Sequence, residues 1–320
     1  MTTPGKFRHL TRTTTEAGHF IILAIDHRRN LLQGMQTAQS EPMTEAGFAQ
    51  FKREVVTALL PADASAVLLD PQVGIARGLA DGWLPAEYGL LVPLEETDYT
   101  VHPSQRAYKP IPGWSARAIK RIGGDGVKLL IYYHPEAKDA ALQREIVERT
   151  VEECAADDIP LYLEPIAFSP DPAKALSSAE LTDVVVDSAR LFSGMGIDVL
   201  KSEFPASAAG VDEAAWRAAL RRLDEASTVP WALLSAGVSY DIFRQQTVLA
   251  CAAGASGVIV GRALWAEAVP MPADQRAAWL EDTGKARMAD LSAICAASAR
   301  SFRERTAAPD PFGPSWTVAP

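Results

Sequence analysis

The sequence predicts an α/β protein folded as a single closed (β/α)8 barrel, a TIM barrel with an extra N-terminal segment, and three observations carry that expectation. Eight short runs of Ile, Val and Leu recur along the chain, at 20–26, 65–70, 89–93, 126–133, 160–167, 197–204, 231–235 and 257–261. Longer amphipathic stretches with a helical period separate them. No Gly-x-Gly-x-x-Gly follows the first run, where an open dinucleotide-binding sheet would carry it. Strands that are apolar on both faces and divided by helices imply a parallel sheet covered by helices. Eight of them over this length fit a closed barrel better than an open sheet.

Taken in order, the first run is Phe20-Ile-Ile-Leu-Ala-Ile-Asp26 and ends on a carboxylate. A helix is expected over Thr44–Leu60, before the second and third runs. The fourth run, Gly126-Val-Lys-Leu-Leu-Ile-Tyr-Tyr133, encloses Lys128. The clearest helix lies over Glu136–Asp157, where Ala141, Leu142, Ile146, Val147, Val151 and Cys154 fall near a period of 3.6 among Glu, Arg and Asp. The fifth run holds Glu164 and the sixth, Asp198-Val-Leu-Lys-Ser-Glu-Phe-Pro205, holds Lys201. Helical patterns over Ser178–Leu191, Asp212–Ala226, Tyr240–Ala253 and Ala273–Phe302 complete the alternation. Residues 1–305 are read as one barrel domain, and the Pro- and Gly-rich residues 306–320 as an extended tail.

Composition narrows the class of partner. A net charge of −9 and a high apolar share, 48%, describe an ordinary globular chain with a large core. The acidic balance argues against nucleic acid or an anionic membrane, which want clustered Lys and Arg. A local basic pocket for an anionic small molecule remains compatible with it. Cys154, Cys251 and Cys295 are odd in number and set in apolar helical patterns, so they read as core residues of a reducing compartment. The N-terminus lacks the apolar core of a signal peptide, and no run approaches the roughly 18 apolar residues of a membrane span. A cytoplasmic protein is the expectation.

Lysine is almost never buried unless it is paired or used, because taking its charge out of water costs several kcal/mol. Lys201 sits inside a strand-like run all the same, and Lys128, Glu164 and Asp26 occupy the fourth, fifth and first runs in the same way. Alternate strand residues of a barrel point inward and active sites gather at the strands' C-terminal ends, so the four can converge. An amine that forms an imine with a ketone, a second ammonium beside it and two carboxylates that move protons make a complementary set. A protonated imine is an electron sink for the carbanion left when a neighbouring C–C bond breaks. The competing reading is a structural cluster in which Lys201 pairs with Glu164 and Lys128 with Asp26.

A second signal follows the last two strands. Ser235 and Gly237 lie in Leu234-Ser-Ala-Gly-Val238, and Gly261 and Arg262 follow the eighth run. Barrel phosphate sites often use these loops, where small residues let backbone N–H groups approach the anion. Arg262 would add a bidentate cation.

The segments Ala24-Ile-Asp-His-Arg28, Leu68-Leu-Asp-Pro71, Gly126–Tyr133, Tyr162-Leu-Glu-Pro165, Asp198–Pro205, Leu234–Val238 and Gly261-Arg-Ala-Leu-Trp265 together resemble the class I aldolases of the tagatose-1,6-bisphosphate aldolase family, which includes the aldolase for 6-deoxy-6-sulfofructose 1-phosphate. The resemblance runs from residue 20 to about 300 and implies a cofactor-independent lyase that cleaves a phosphorylated ketose to dihydroxyacetone phosphate and an aldehyde. It implies Lys201 as the Schiff-base lysine, Glu164 as the proton-transfer carboxylate, Asp26 as a second acid and Lys128 as the electrostatic partner of the imine lysine. It also implies that Ser235, Gly237, Gly261 and Arg262 hold the 1-phosphate.

One departure stands out. Asp26-His27-Arg28-Arg29-Asn30 replaces the family's usual Asp-Gln-Arg, in a loop expected near the far end of the substrate. His27 and Arg28 are therefore read as substrate-binding, and the extra Arg29 would favour a phosphate, sulfonate or carboxylate there. His102, His134 and Asp70 show no close ligand spacing, so no metal is expected. A sugar-phosphate-sensing barrel and an isomerase using Glu164 as base are the rival functions, and the sequence leaves homo-oligomerisation open.

Overall fold

The computed structural model describes residues 2–38, 43–96, 101–209 and 212–311. Eight parallel strands close into a barrel in sequential order. They are β1 (Phe20–Ile25), β2 (Ala66–Leu69), β3 (Gly89–Pro93), β4 (Gly126–Tyr133), β5 (Leu161–Ala167), β6 (Val199–Ser202), β7 (Trp231–Leu234) and β8 (Gly257–Val260). Each coincides with one of the eight apolar runs. The register Leu130↔Glu164 between β4 and β5, and Leu200↔Trp231 between β6 and β7, fixes which side chains share a level.

The two faces of the strands divide the core. Even-numbered residues of β1 and β2, with Leu91, Tyr162, Val199, Ala232 and Ile259, form a compact interior cluster. The opposite faces, carrying Ile21, Leu23, Val67, Leu163, Leu200 and Leu233, pack on the surrounding helices in a larger cluster. This is why the runs read as continuously apolar rather than alternating.

The N-terminal segment has a structure that its sequence did not announce. Residues Pro4–Arg12 form a helix capped by Thr3, with Pro at its start. Leu10 and Phe7 reach the interior cluster and meet Phe302, which returns from the C-terminal side. Thr13 hydrogen-bonds the Tyr162 hydroxyl at 2.6 Å, and Lys6 pairs with Asp198 at 2.8 Å. These contacts close the N-terminal end of the barrel and leave the other end open. The expected helix over Ala273–Phe302 instead comprises Ala273–Trp279 and Lys285–Ser298 joined by a wider turn at 280–284. Residues 312–320 of the expected tail lie outside the described residues.

The helix Glu45–Leu59 follows the expectation closely, with Thr44 accepting the Gly47 N–H as its cap. Cys154, Cys251 and Cys295 are free and buried. Far apart in sequence, Cys251 and Cys295 bring their sulfurs to 3.8 Å across two packed helices. No helix among the described residues is long and apolar enough to cross a membrane.

Candidate active site

Strand alternation carries the candidate residues inward. Lys201 shares its parity with Val199 of the interior cluster, and Glu164 shares its parity with Tyr162. The Lys201 ammonium lies 2.9 Å from Glu164 Oε2, and Lys128 reaches the same oxygen at 3.0 Å. One carboxylate oxygen thus bridges two lysines. Lys128 also meets Glu95 Oε1 at 2.5 Å and Asp26 Oδ2 at 3.4 Å. The simple pairing of Lys128 with Asp26 is therefore replaced by a cluster of two ammoniums and three carboxylates.

Surrounding charge sets the protonation of this cluster. Burial works against the charge on Lys128, but Glu164, Glu95 and Asp26 together raise its pKa well above the ordinary value. It is a fixed cation. Burial also opposes ionisation of Asp26 and Glu164, yet Lys128 and then Lys201 hold both below the usual carboxylate range. Asp26 is accordingly a carboxylate at any working pH, able to accept a proton or hydrogen bond and not to act as a resting acid. Glu95 is the exception: burial outweighs Lys128 and raises it.

Glu95 was not singled out in the sequence. It continues the inward parity of Gly89, Leu91 and Pro93 two residues past the end of β3, and its second oxygen accepts the Leu130 N–H at 3.1 Å. Lys52 is a further unanticipated charge. It is fully buried on the core face of helix 45–59, where it donates to the carbonyls of Ile25 and His27 at 2.8 Å each and pairs with Asp70. The residues it grips flank Asp26. Asp70, considered as a metal ligand with His102 and His134, is committed to Lys52 and to the N–H groups of Val73 and Gly74. His134 accepts the Glu136 N–H, and His102 bonds Ser104. Among the described residues the three do not come together as one ligand set.

Lys201 and Glu164 open into a cavity whose rim includes His27, Tyr132, Glu203, Ser235, Gly261 and Arg262. After Ser235 the backbone turns left-handed at Ala236 (φ 47°) and Gly237 (φ 81°). A Cβ on Gly237 would lie 2.9 Å from the Arg262 guanidinium carbon, so glycine there lets Arg262 lie flat against the turn. Gly261 makes room in the same way for the Ala24 carbonyl and the His27 ring. This end offers small residues, a hydroxyl and a guanidinium to an anion.

The Asp26–Asn30 loop is divided between two recesses, not gathered at one end. His27 enters the lysine cavity, stacked edge-on against Trp265 at 5.1 Å. Burial lowers its pKa to about 3, with Asp26 opposing and Arg262 adding to the shift, so it is a neutral imidazole and not a pH-sensitive acid near neutrality. Its Nδ1 is buried with no hydrogen-bond partner among the described residues. Arg28 and Arg29 turn into an adjoining recess with Gln105, Arg106, Tyr108 and Lys109 from the loop after β3. Arg28 donates to the Glu95 carbonyl at 2.5 Å, and its buried Nη1 has no partner among the described residues. Leu130 and Tyr132 border both recesses, which makes them two ends of one cleft.

Comparison with known proteins bears on the family and the fold. The family model described as DeoC/LacD family aldolase matches residues 20–267, a span that includes all eight strands. Tagatose 1,6-diphosphate aldolase 2 of Streptococcus agalactiae is 34% identical over 95% of this chain and 99% of its own length. The tagatose 1,6-diphosphate aldolase of Streptococcus pneumoniae is 35% identical over the same shares. Among solved structures, the fructose-bisphosphate aldolase of Plasmodium falciparum superposes with a TM-score of 0.71 at 14% identity, covering 92% of this chain and 95% of that one. An archaeal fructose-1,6-bisphosphate aldolase, with its catalytic Lys bound to a carbinolamine intermediate, gives 0.60 at 18% identity over 91% and 99%. These two likenesses speak for the barrel fold. The resemblance carried by the short motifs thus extends over the folded chain, which belongs to the DeoC/LacD family of aldolases, enzymes that make and break carbon–carbon bonds.

Proposed function

We propose that the protein is a class I aldolase that cleaves a phosphorylated ketose reversibly to dihydroxyacetone phosphate and an aldehyde through an imine on Lys201. The observation that carries this reading is the Lys201–Glu164 contact of 2.9 Å inside a cavity whose rim suits a phosphate. An imine-forming amine needs a neighbouring group to take and return protons as carbinolamine becomes imine. Glu164 is at that place, ionised, and tied to the fixed cation Lys128.

In this reading the ketose 1-phosphate sits on the left-handed turn at Ala236–Gly237, with Ser235 and Arg262 as donors. Lys201 attacks C2, Glu164 moves the protons that release water, and the protonated imine draws the electron pair of the C3–C4 bond as it breaks. Asp26 or Glu164, both carboxylates, takes the C4 hydroxyl proton, and the second product leaves as the aldehyde. The enamine is then protonated at C3 and hydrolysed. His27, held neutral, contributes hydrogen bonding at the phosphate end. The Arg28–Arg29 recess accepts an anionic group on the aldehyde half, as in a ketose 1,6-bisphosphate, and the similarity to the streptococcal tagatose 1,6-diphosphate aldolases supports this reading.

The reading is tested by incubating the protein with tagatose 1,6-bisphosphate, fructose 1,6-bisphosphate and 6-deoxy-6-sulfofructose 1-phosphate and following dihydroxyacetone phosphate release. Turnover of at least one, abolished in K201M, is expected. No release from any phosphorylated ketose refutes it.

A further inference from the structure

The aldol steps leave Glu203 without a role. It follows Lys201 by two residues, so the same alternation turns it toward the barrel interior, about 7 Å nearer the open end. It lines the cavity with Lys201, Ser235 and Arg262. One oxygen, Oε1, accepts the Ala167 N–H at 2.6 Å, and Oε2 makes no hydrogen bond among the described residues. Lys128 and Lys201 spend their charge on Glu164 instead.

The groups facing this carboxyl explain its state. Lys201 lies on its own strand, Glu164 on β5, Tyr132 on β4, His27 after β1 and Arg262 after β8, all around one cavity. Burial pushes Glu203 up to about 8, the Ala167 N–H opposes the shift, and Glu164 adds to it. A neutral carboxylic acid keeps its carbonyl oxygen on Ala167 and presents an O–H to the cavity. An ionised one would set a negative charge beside the place proposed for a phosphate dianion.

We propose that Glu203 is a neutral hydrogen-bond donor to a phosphoryl oxygen of the bound sugar phosphate, so that the anion binds together with a proton and is released when Glu203 ionises. This rests on the phosphate site proposed above. Thermodynamic linkage makes the coupling reciprocal: a bound phosphate raises the proton affinity of Glu203, and the proton raises the affinity for phosphate.

The test uses glycerol 3-phosphate, which carries the phosphate and lacks the ketone, as a competitive inhibitor of ketose cleavage from pH 7 to 9.5. For the wild type, its inhibition constant is expected to stay flat to about pH 8 and then rise about tenfold per pH unit. E203A should weaken inhibition at pH 7 by roughly tenfold to a hundredfold, the worth of one hydrogen bond to a charged group. E203Q, which keeps an acceptor for Ala167 and an N–H donor for the ligand, should rescue that loss and remove the rise above pH 8. Coincident pH profiles for wild type and E203Q overturn the proposal. So does an E203Q variant with normal inhibition and pH profile but kcat reduced about a hundredfold, which would make Glu203 a proton-transfer group. Borohydride trapping of wild type with dihydroxyacetone phosphate separates the two readings. No adduct refutes the imine, whereas an adduct with coincident profiles refutes only the role of Glu203.

Discussion

Replacing Lys128 by Met isolates the electrostatic core of the site. The substitution conserves much of the side-chain length and removes one ammonium, leaving Glu164, Glu95 and Asp26 at what were contacts of 3.0, 2.5 and 3.4 Å. At an effective dielectric of about 20, a unit pair 3.0 Å apart attracts by about 5.5 kcal/mol, so losing the Lys128 ammonium raises the proton affinity of Glu164. Lys201 still touches Glu164 and retains part of that effect. Glu164 should therefore move upward from below the usual carboxylate range, and the fraction that holds a proton cannot accept one. General acid–base steps of this kind are worth about 10²–10⁴ in rate, so kcat at pH 7 should fall by roughly a hundredfold or more. Activity should partly return as pH is raised, because Glu164 then ionises. The assay is kcat/KM for ketose cleavage from pH 5.5 to 9.5, with thermal unfolding measured beside it, since breaking a buried ion pair costs about 3–5 kcal/mol. A folded K128M enzyme with kcat within tenfold of wild type and an acid limb at the same pH would refute the argument.

Further outcomes are expected at three residues. Arg28→Ala should raise KM for a ketose 1,6-bisphosphate by roughly tenfold to a hundredfold and that for the corresponding 1-phosphate by far less, as measured by steady-state kinetics on both, because one charge-assisted hydrogen bond is lost at the distal end. Lys52→Met should lower stability by about 3–5 kcal/mol in denaturant unfolding, since it strands Asp70 as a buried unpaired charge. The same change should lower kcat with little change in KM, because the carbonyls on either side of Asp26 lose their anchor. Glu203 gives a signed pH dependence: its folded-state pKa of about 8 lies above the ordinary 4.5, so between those values the native state holds the extra proton and stability falls as pH rises. That decline, followed by thermal unfolding across the interval, should be shallower in E203Q.

Much of the site was legible because a barrel imposes strand parity. Asp26, Lys128, Glu164 and Lys201 interrupt apolar runs, and alternation alone sends each toward the interior. Glu95 and Glu203 obey the same parity, two residues beyond Pro93 and Lys201: extending the count past the third run finds Glu95, and Glu203 already stands inside the sixth. Lys52 is similarly readable on the helical face that carries Phe48, Val55 and Val56, where a charge among core positions marks a buried partner. Other features were not legible because they depend on how distant segments meet. The helix Pro4–Arg12 is short, and its reason for being is the barrel end that it covers with Phe302. The split of His27 from Arg28 is likewise invisible in sequence: consecutive residues leaving a strand turn apart, and only Gly261, Trp265 and the Glu95 carbonyl decide where each goes.

The central claim is a covalent one, and it is tested most directly by reducing the protein with borohydride in the presence of dihydroxyacetone phosphate and mapping the adduct by mass spectrometry. The account predicts a single modification on Lys201, absent without the ligand and absent in K201M. No adduct, or one carried by Lys128 or Lys52 with Lys201 unmodified, would contradict it.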